Sequence, residues 1–276
     1  MDTLQSQLWD SLNGKRYLLV LDDVWNEDQD QWDELASLLK AGAKGSKVIV
    51  TTRSKKDTAI MSTTASYELV GLSDEDCWGL FKQRAFGYGE EEEHLNLLAI
   101  GKQIVKKCGG VPLAAKTIGS LMRFKRKERE WLFVKESELW NICEGECGIL
   151  PALRLSYNHL PTHLKPCFAY CSVFPKSYEI KKEKLIQLWI AHGFVPYDIS
   201  YNPRCRTVED IGNEYFNDLL GMSFFHDLKQ CEDGVLTECK MHDLIHDLAK
   251  SVAGTEFMIL EHGHEPSNFA QILSCS

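Results

Sequence analysis

Two apolar runs constrain this chain more than anything else in it. Tyr17–Asp23 reads YLLVLDD and Lys47–Thr52 reads KVIVTT. Unbroken runs of this kind suit strands buried on both faces, as in a parallel sheet. Between them lies WDELASLLKA, with Trp32, Leu35, Leu38 and Leu39 on one helical face and Gly42 and Gly45 as the stop. Strand, helix, strand predicts a right-handed parallel crossover. A helix over Asp2–Asn13 precedes it, with Leu4, Leu8 and Leu12 on one face. YELVGL, ending at Leu72, reads as a short third strand.

After Leu72 the pattern turns helical. Ser73 reads as an N-cap, with Asp76 as the capping-box acid of a helix running to about Phe86. A helix over Leu95–Lys107 stops at Gly109-Gly110, and Pro112 opens the next. Further helices are predicted over Glu128–Leu139 and Ile149–Asn158. Beyond Pro161, helical periodicity covers Pro166–Val173, Lys182–Ala191 and Val208–Leu220. SFFHDLKQ and VLTECKM then flank a turn with the pair Asp233-Gly234, and MHDLIHDLAKSVA closes as a helix. Helices followed by a hairpin are the layout of a winged-helix domain. No pattern is clear from Glu256 onward.

Composition narrows the function. Lys plus Arg number 31 against 40 Asp plus Glu, a net charge of -9, where nucleic-acid binders carry basic surfaces. The basic cluster Arg123-Phe124-Lys125-Arg126-Lys127 is followed at once by Glu128-Arg129-Glu130, which fits a solvated turn between two helices. No apolar run reaches the roughly 18–20 residues of a membrane helix. The start is polar and amphipathic, so the ten cysteines read as reduced, cytosolic thiols. Of the two C-x3-C pairs, Cys143/Cys147 and Cys167/Cys171, the second lies in apolar PCFAYCSVF, which reads as core rather than zinc ligation.

The candidate chemistry sits at strand ends. In open parallel sheets ligands bind outside the carboxyl ends of strands. Asp22 and Asp23 end the first run, where one carboxylate can hold a magnesium ion and the other can polarise water. Arg53 ends the second on the same edge, where a guanidinium can sense a terminal phosphate. Taken singly, each also reads as a solvated strand end. The phosphate-binding loop G-x-x-x-x-G-K-[ST] is absent from the sequence. GAKGSK, Gly42–Lys47, has the wrong spacing and precedes a strand instead of following one.

In one order the chain carries GKRYLLVLDDVW, SKVIVTTR, YELVGLSDEDCWGLFKQRAF, CGGVPLAAKTIG, CFAYCSVFP and KMHDLIHDLA. This set resembles the NB-ARC module of plant nucleotide-binding, leucine-rich-repeat resistance proteins, over roughly residues 4 to 255. Trp25 after the aspartates is similar to the coiled-coil class. The resemblance implies an α/β then mostly α chain. It would comprise a P-loop NTPase domain with a parallel sheet, truncated after the phosphate loop, over residues 1–72; a helical domain with the GVPL motif over 73–145; a winged-helix domain with the MHD motif over 146–255; and a tail. It implies site roles as well. Asp22 is similar to the Walker B aspartate on Mg2+, and Asp23 to the catalytic acid beside it. Arg53 matches the sensor arginine, Pro112 the proline on the adenine, and His242 the histidine on the ADP β-phosphate.

The function so implied is a cytoplasmic ADP/ATP switch in plant defence, at most a slow ATPase. It would partner nucleotide and other receptor domains or chains, not membrane or nucleic acid. The resemblance places a phosphate-loop strand between the two apolar runs. Without it these strands either pair directly or leave open apolar edges, and nucleotide binding is expected to be weak or absent. The alternative reading is a nucleotide-independent fragment that pairs with full-length receptors. A winged-helix DNA-binding reading would use Lys181, Lys182 and Lys184, but Leu185, Leu188 and Trp189 on the same helix read as core.

Overall fold

The structure is a computed structural model describing residues 3–24, 28–87, 95–141, 150–196, 207–231 and 233–254. Trp25, Cys143/Cys147 and the C-terminal tail lie outside the described residues. The chain divides into two compact units, Met1–Leu69 and Val70–Ser276.

In the first unit, α1 (Thr3–Leu12) leads to β1 (Leu18–Leu21), α2 (Gln29–Leu39), β2 (Lys47–Val50) and α3 (Lys55–Met61). β1 and β2 pair directly and in parallel, Leu18 opposite Lys47 through Leu21 opposite Val50. The ladder continues at both ends, with Lys47 N–H donating to the Tyr17 carbonyl and Thr51 N–H to the Leu21 carbonyl, each at 2.9 Å. Among the described residues no strand lies between them. α2 starts at Asp28, whose side chain accepts from Asp30 N–H at 2.9 Å, and it buries Leu38 and Leu39. Tyr17 locks the helix end to the strand by donating its hydroxyl to the Leu39 carbonyl at 2.6 Å.

Two expectations fail in this unit. The strands are not buried on both faces: Leu18 is 66% and Val20 57% exposed, because a two-stranded sheet with helices of this size cannot cover them. YELVGL is not a strand. Tyr67, Leu69 and Val70 are exposed, and no strand of the described residues lies alongside to pair with them. A strand needs a partner for its backbone groups, and local sequence cannot supply one. Conversely α3 was not foreseen; it is short and rests on a Ser54 N-cap that accepts from Asp57 N–H at 3.2 Å.

The second unit is mostly helical. α4 (Asp74–Ala85), α5 (Leu95–Lys107), α6 (Pro112–Arg123) and α7 (Glu128–Glu136) are followed by α8 (Pro151–Asn158) and α9 (Leu164–Tyr170). Then come β3 (Ile180–Lys181), α10 (Lys182–Ala191), α11 (Val208–Gly221), β4 (His226–Gln230), β5 (Leu236–Lys240) and α12 (Asp243–Ala253). Ser73 caps α4 as read, its Oγ accepting from Asp76 N–H at 3.1 Å. The hairpin β4–β5 gains β3 as a third antiparallel strand in the order β3-β5-β4.

One core joins these elements. Phe81 packs flat on Trp78 with centroids 5.5 Å apart and edge-on to Trp131 at 5.9 Å. Farther along, Phe168 meets Phe224 at 4.7 Å. Leu185 and Trp189 of α10 are fully buried and Leu188 partly so, as the core reading of that helix requires. α4 and α6 approach closely at Gly119, where an added Cβ would stand 2.7 Å from the Phe81 carbonyl oxygen.

Alanine in place of glycine ordinarily stabilises a helix by about 1 kcal/mol. Here Gly119→Ala should instead destabilise by about 1–3 kcal/mol, since the obstructing atom is backbone that must shift. The urea midpoint of the variant checks the sign.

Candidate functional site

In the first unit the structure brings together Asp22, Asp23 and Arg53. Parallel pairing sets Asp22 and Asp23 level with Thr51–Arg53 at the carboxyl edge of the sheet. Thr51 organises the cluster. Its hydroxyl donates to Asp22 Oδ1, and its Oγ1 accepts from Asp23 N–H at 2.8 Å. Asp23 turns out of the strand with φ 50°, a left-handed conformation that aspartate tolerates better than most residues. Arg53 then reaches its carboxylate with both prongs, Nε donating to Oδ1 at 3.1 Å and Nη2 to Oδ2 at 3.3 Å. This is a forked guanidinium–carboxylate contact, the geometry that also fits a phosphate.

The loop bearing Arg53 is held from below. Asp57 is fully buried and accepts from Thr52 Oγ1 at 3.2 Å, while Ser54 N–H donates to Thr52 Oγ1 at 3.1 Å. Sequence reading named neither Thr51 nor Asp57. The spacing Ser54-x-x-Asp57 was a visible capping signal, whereas the role of Thr51 depends on the register between strands. Two hard carboxylate donors at this edge suit Mg2+, which takes one or two carboxylates and completes its shell with water and phosphate oxygens.

In the second unit Pro112 occupies the first position of α6, exposed, after Gly109 and Gly110, which have φ 61° and 76°. Gly110 accepts from Leu72 N–H at 2.8 Å, and an added Cβ there would stand 2.9 Å from the Leu72 carbonyl oxygen. The double glycine thus lets the Gly71-Leu72 backbone approach the turn that presents Pro112.

His242 is the N-cap of α12. Its Nδ1 accepts from Leu244 N–H at 3.2 Å, and its carbonyl accepts from Ile245 and His246 N–H. A neutral imidazole with Nδ1 as acceptor carries its proton on Nε2, so the second ring nitrogen is a donor. The ring lies 6.0 Å from that of His226, and both line an open cavity of about 170 Å3 with Lys240, Asp227, Asp243, Met241 and Ser177. His226 Nδ1 contacts Asp227 Oδ1 at 3.1 Å. That hydrogen bond, with the charges of His226, Lys240 and Lys116, holds the Asp227 carboxyl below its ordinary range. Sequence reading missed His226 and Lys240, because cross-strand register alone puts them beside His242.

Cys167 and Cys171 behave as core. Both are buried, and their thiols point to the carbonyls of His163 and Cys167 at 3.8 and 3.4 Å. Burial pushes the Cys167 thiol up to about 12 and the Cys171 thiol well above its usual range. No helix among the described residues is long and apolar enough to cross a membrane.

Comparison with known proteins agrees with this layout. Residues 1–91 match the NB-ARC domain, and residues 173–249 match the disease resistance protein winged helix domain. The chain is 57% identical over 90% of its length to the putative disease resistance protein RGA1 of Solanum bulbocastanum, covering 25% of that protein. It is 56% identical to the disease resistance protein RGA2 of the same species, again over 90% of the chain and 25% of the relative. It is 41% identical over 92% of its length to the putative disease resistance RPP13-like protein 1 of Arabidopsis thaliana, covering 23%. The chain thus spans about a quarter of the length of these curated relatives.

Thiol chemistry tests the core assignment. Brief alkylation of the native protein should modify exposed Cys231 and spare buried Cys77, Cys108, Cys167, Cys171 and Cys239. Peptide mass mapping reads the pattern, and rapid modification of Cys167 or Cys171 would contradict their burial.

Proposed function

The chain belongs to the NB-ARC family of plant disease-resistance proteins, and from that premise we propose that it is the ADP/ATP-binding switch module of a cytoplasmic immune receptor. One observation carries the reading: two carboxylates and a forked arginine converge at the carboxyl edge of parallel strands. That edge is where open α/β sheets hold their ligands. In this reading Asp22 holds Mg2+ and Asp23 is the acid beside it. The ion, when bound, neutralises phosphate charge. Arg53 senses the terminal phosphate, which competes with the Asp23 carboxylate for the same guanidinium fork.

The second unit supplies the other contacts. Pro112 packs on the adenine, and Nε2–H of His242 donates to the β-phosphate of ADP. Residues 1–72, 73–145 and 146–255 act as nucleotide-binding, helical and winged-helix domains. ADP favours a closed arrangement through His242. ATP favours an open one that engages other receptor domains or chains, a two-state element biased by differential affinity. Hydrolysis serves as a slow reset.

The 276 residues contain no phosphate-binding loop, so the backbone N–H cradle that grips a diphosphate is not supplied by them. A second reading is an interaction fragment that pairs with full-length receptors without nucleotide. The exposure of Leu18, Val20, Val48 and Ile49 on a two-stranded sheet favours it.

Nucleotide content separates the two. Residues 1–276, purified and denatured, should release far less than one ADP per chain. A longer polypeptide that includes a phosphate loop should release about one, and Arg53→Ala and His242→Ala in that longer chain should lower its retention of ADP. Empty, folded longer chains would end the switch reading in favour of the interaction fragment.

A further inference from the structure

The turn from α6 to α7 and the outward face of α7 carry a combination that the switch does not use. α7 sends Trp131 and Val134 into the core. Arg129 and Phe133, one helical turn apart, therefore share the opposite face, and Phe133 is 67% exposed. Trp131 Nε1 donates to the Lys125 carbonyl at 2.9 Å and pins the turn to the helix. Lys125, Arg129, Glu130, Phe133 and His159 line one open cavity of about 360 Å3.

His159, capping the end of α8, forms the far wall. Its ring meets Phe133 edge-on at 6.0 Å, and its Nδ1–H donates to the Leu155 carbonyl at 3.0 Å. Neither Lys125 nor Arg129 is in a side-chain ion pair among the described residues. The one carboxylate among the lining residues, Glu130, already accepts from Lys127 N–H at 3.1 Å. The cavity therefore offers two cations outside any side-chain ion pair, against the single carboxylate of Glu130, beside an exposed aromatic ring.

We propose that this cavity is a docking site for an acidic segment of a partner protein, its carboxylates meeting Lys125 and Arg129 and an aromatic or aliphatic side chain lying on Phe133. Charge complementarity selects that occupant. Locally the cations of Lys125 and Arg129 attract an anion, and the exposed Phe133 ring beside them favours one that also brings an apolar side chain. The volume is at the small end of ligand pockets, which run from about 300 to 1,000 Å3, and suits one anchoring side chain. An apolar anchor ringed by complementary charge is the usual build of a peptide contact.

His159 provides an independent reporter. Burial holds its imidazole below the ordinary value; the Leu155 carbonyl opposes this, and the nearby Lys125 and Lys165 ammonium groups add to it. A carboxylate seated beside Lys125 and Arg129 offsets the positive charge near the ring, so the His159 titration moves to higher pH when the site fills.

The test uses residues 1–276 and three fluorescent probes: an eight-residue glutamate peptide with a central phenylalanine, the same peptide with glutamine for glutamate, and an eight-residue oligothymidylate. The acidic peptide should bind saturably and more weakly as salt rises, with the other two at least about tenfold weaker. Lys125→Glu with Arg129→Glu should cost about tenfold or more, and Phe133→Ala about threefold to tenfold. Lys44→Glu, an exposed change of the same sign in the other unit, should leave affinity unchanged. Proton NMR should show the His159 titration rising on peptide addition. Thermal melts confirm that the variants fold. Absence of saturable binding, undiminished affinity in the Lys125/Arg129 double variant, or equal binding of the oligonucleotide overturns the proposal.

Discussion

Burial of apolar surface governs everything else in this molecule. The second unit closes one continuous core from Cys77 to Ala249, with Phe81, Trp131, Phe168, Trp189 and Phe224 all removed from water. The first unit buries only Leu38, Leu39 and Asp57 among its described residues. Small units bury a smaller share of their surface than large ones, and a two-stranded sheet has only limited helix cover to draw on. The larger core therefore lies in the unit without the acid pair, and the candidate site at the sheet edge belongs to the unit with the smaller core.

The two halves also build their candidate contacts differently. At the sheet edge, side chains from adjacent strand ends meet because parallel register brings residue 22 level with residue 51. At α12, a helix terminus defines the geometry, and the Leu244 N–H decides which nitrogen of His242 donates. One arrangement rests on backbone pairing, the other on capping, and they need not tolerate the same perturbations.

Much of this was legible in advance. α5 over Leu95–Lys107 and α10 over Lys182–Ala191 coincide with their periodic runs, because each carries an apolar face between clear stop signals. Asp22, Asp23 and Arg53 could be placed on one edge because a strand–helix–strand crossover returns the second strand parallel to the first, so that both carboxyl ends share an edge. The failures share a cause. YELVGL was read as a strand from composition, yet strand formation depends on a partner; Tyr67 is 86% exposed instead. The run Tyr17–Asp23 suits a strand buried on both faces, yet burial depends on what covers it. Thr51, His226 and Lys240 escaped notice because only register brings them to the site. Local signals specify helices and caps, while contacts across strands wait for the fold.

The left-handed backbone at Asp23 has a further consequence. Asparagine and glycine accept that conformation as readily as aspartate does. An Asp23→Asn change would therefore remove the carboxylate and its forked contact with Arg53, while keeping a residue suited to the turn and the backbone N–H that meets Thr51. Charge and backbone conformation are separable at this position. A single step can thus change the charge of this sheet edge while the turn that shapes it keeps a residue that fits.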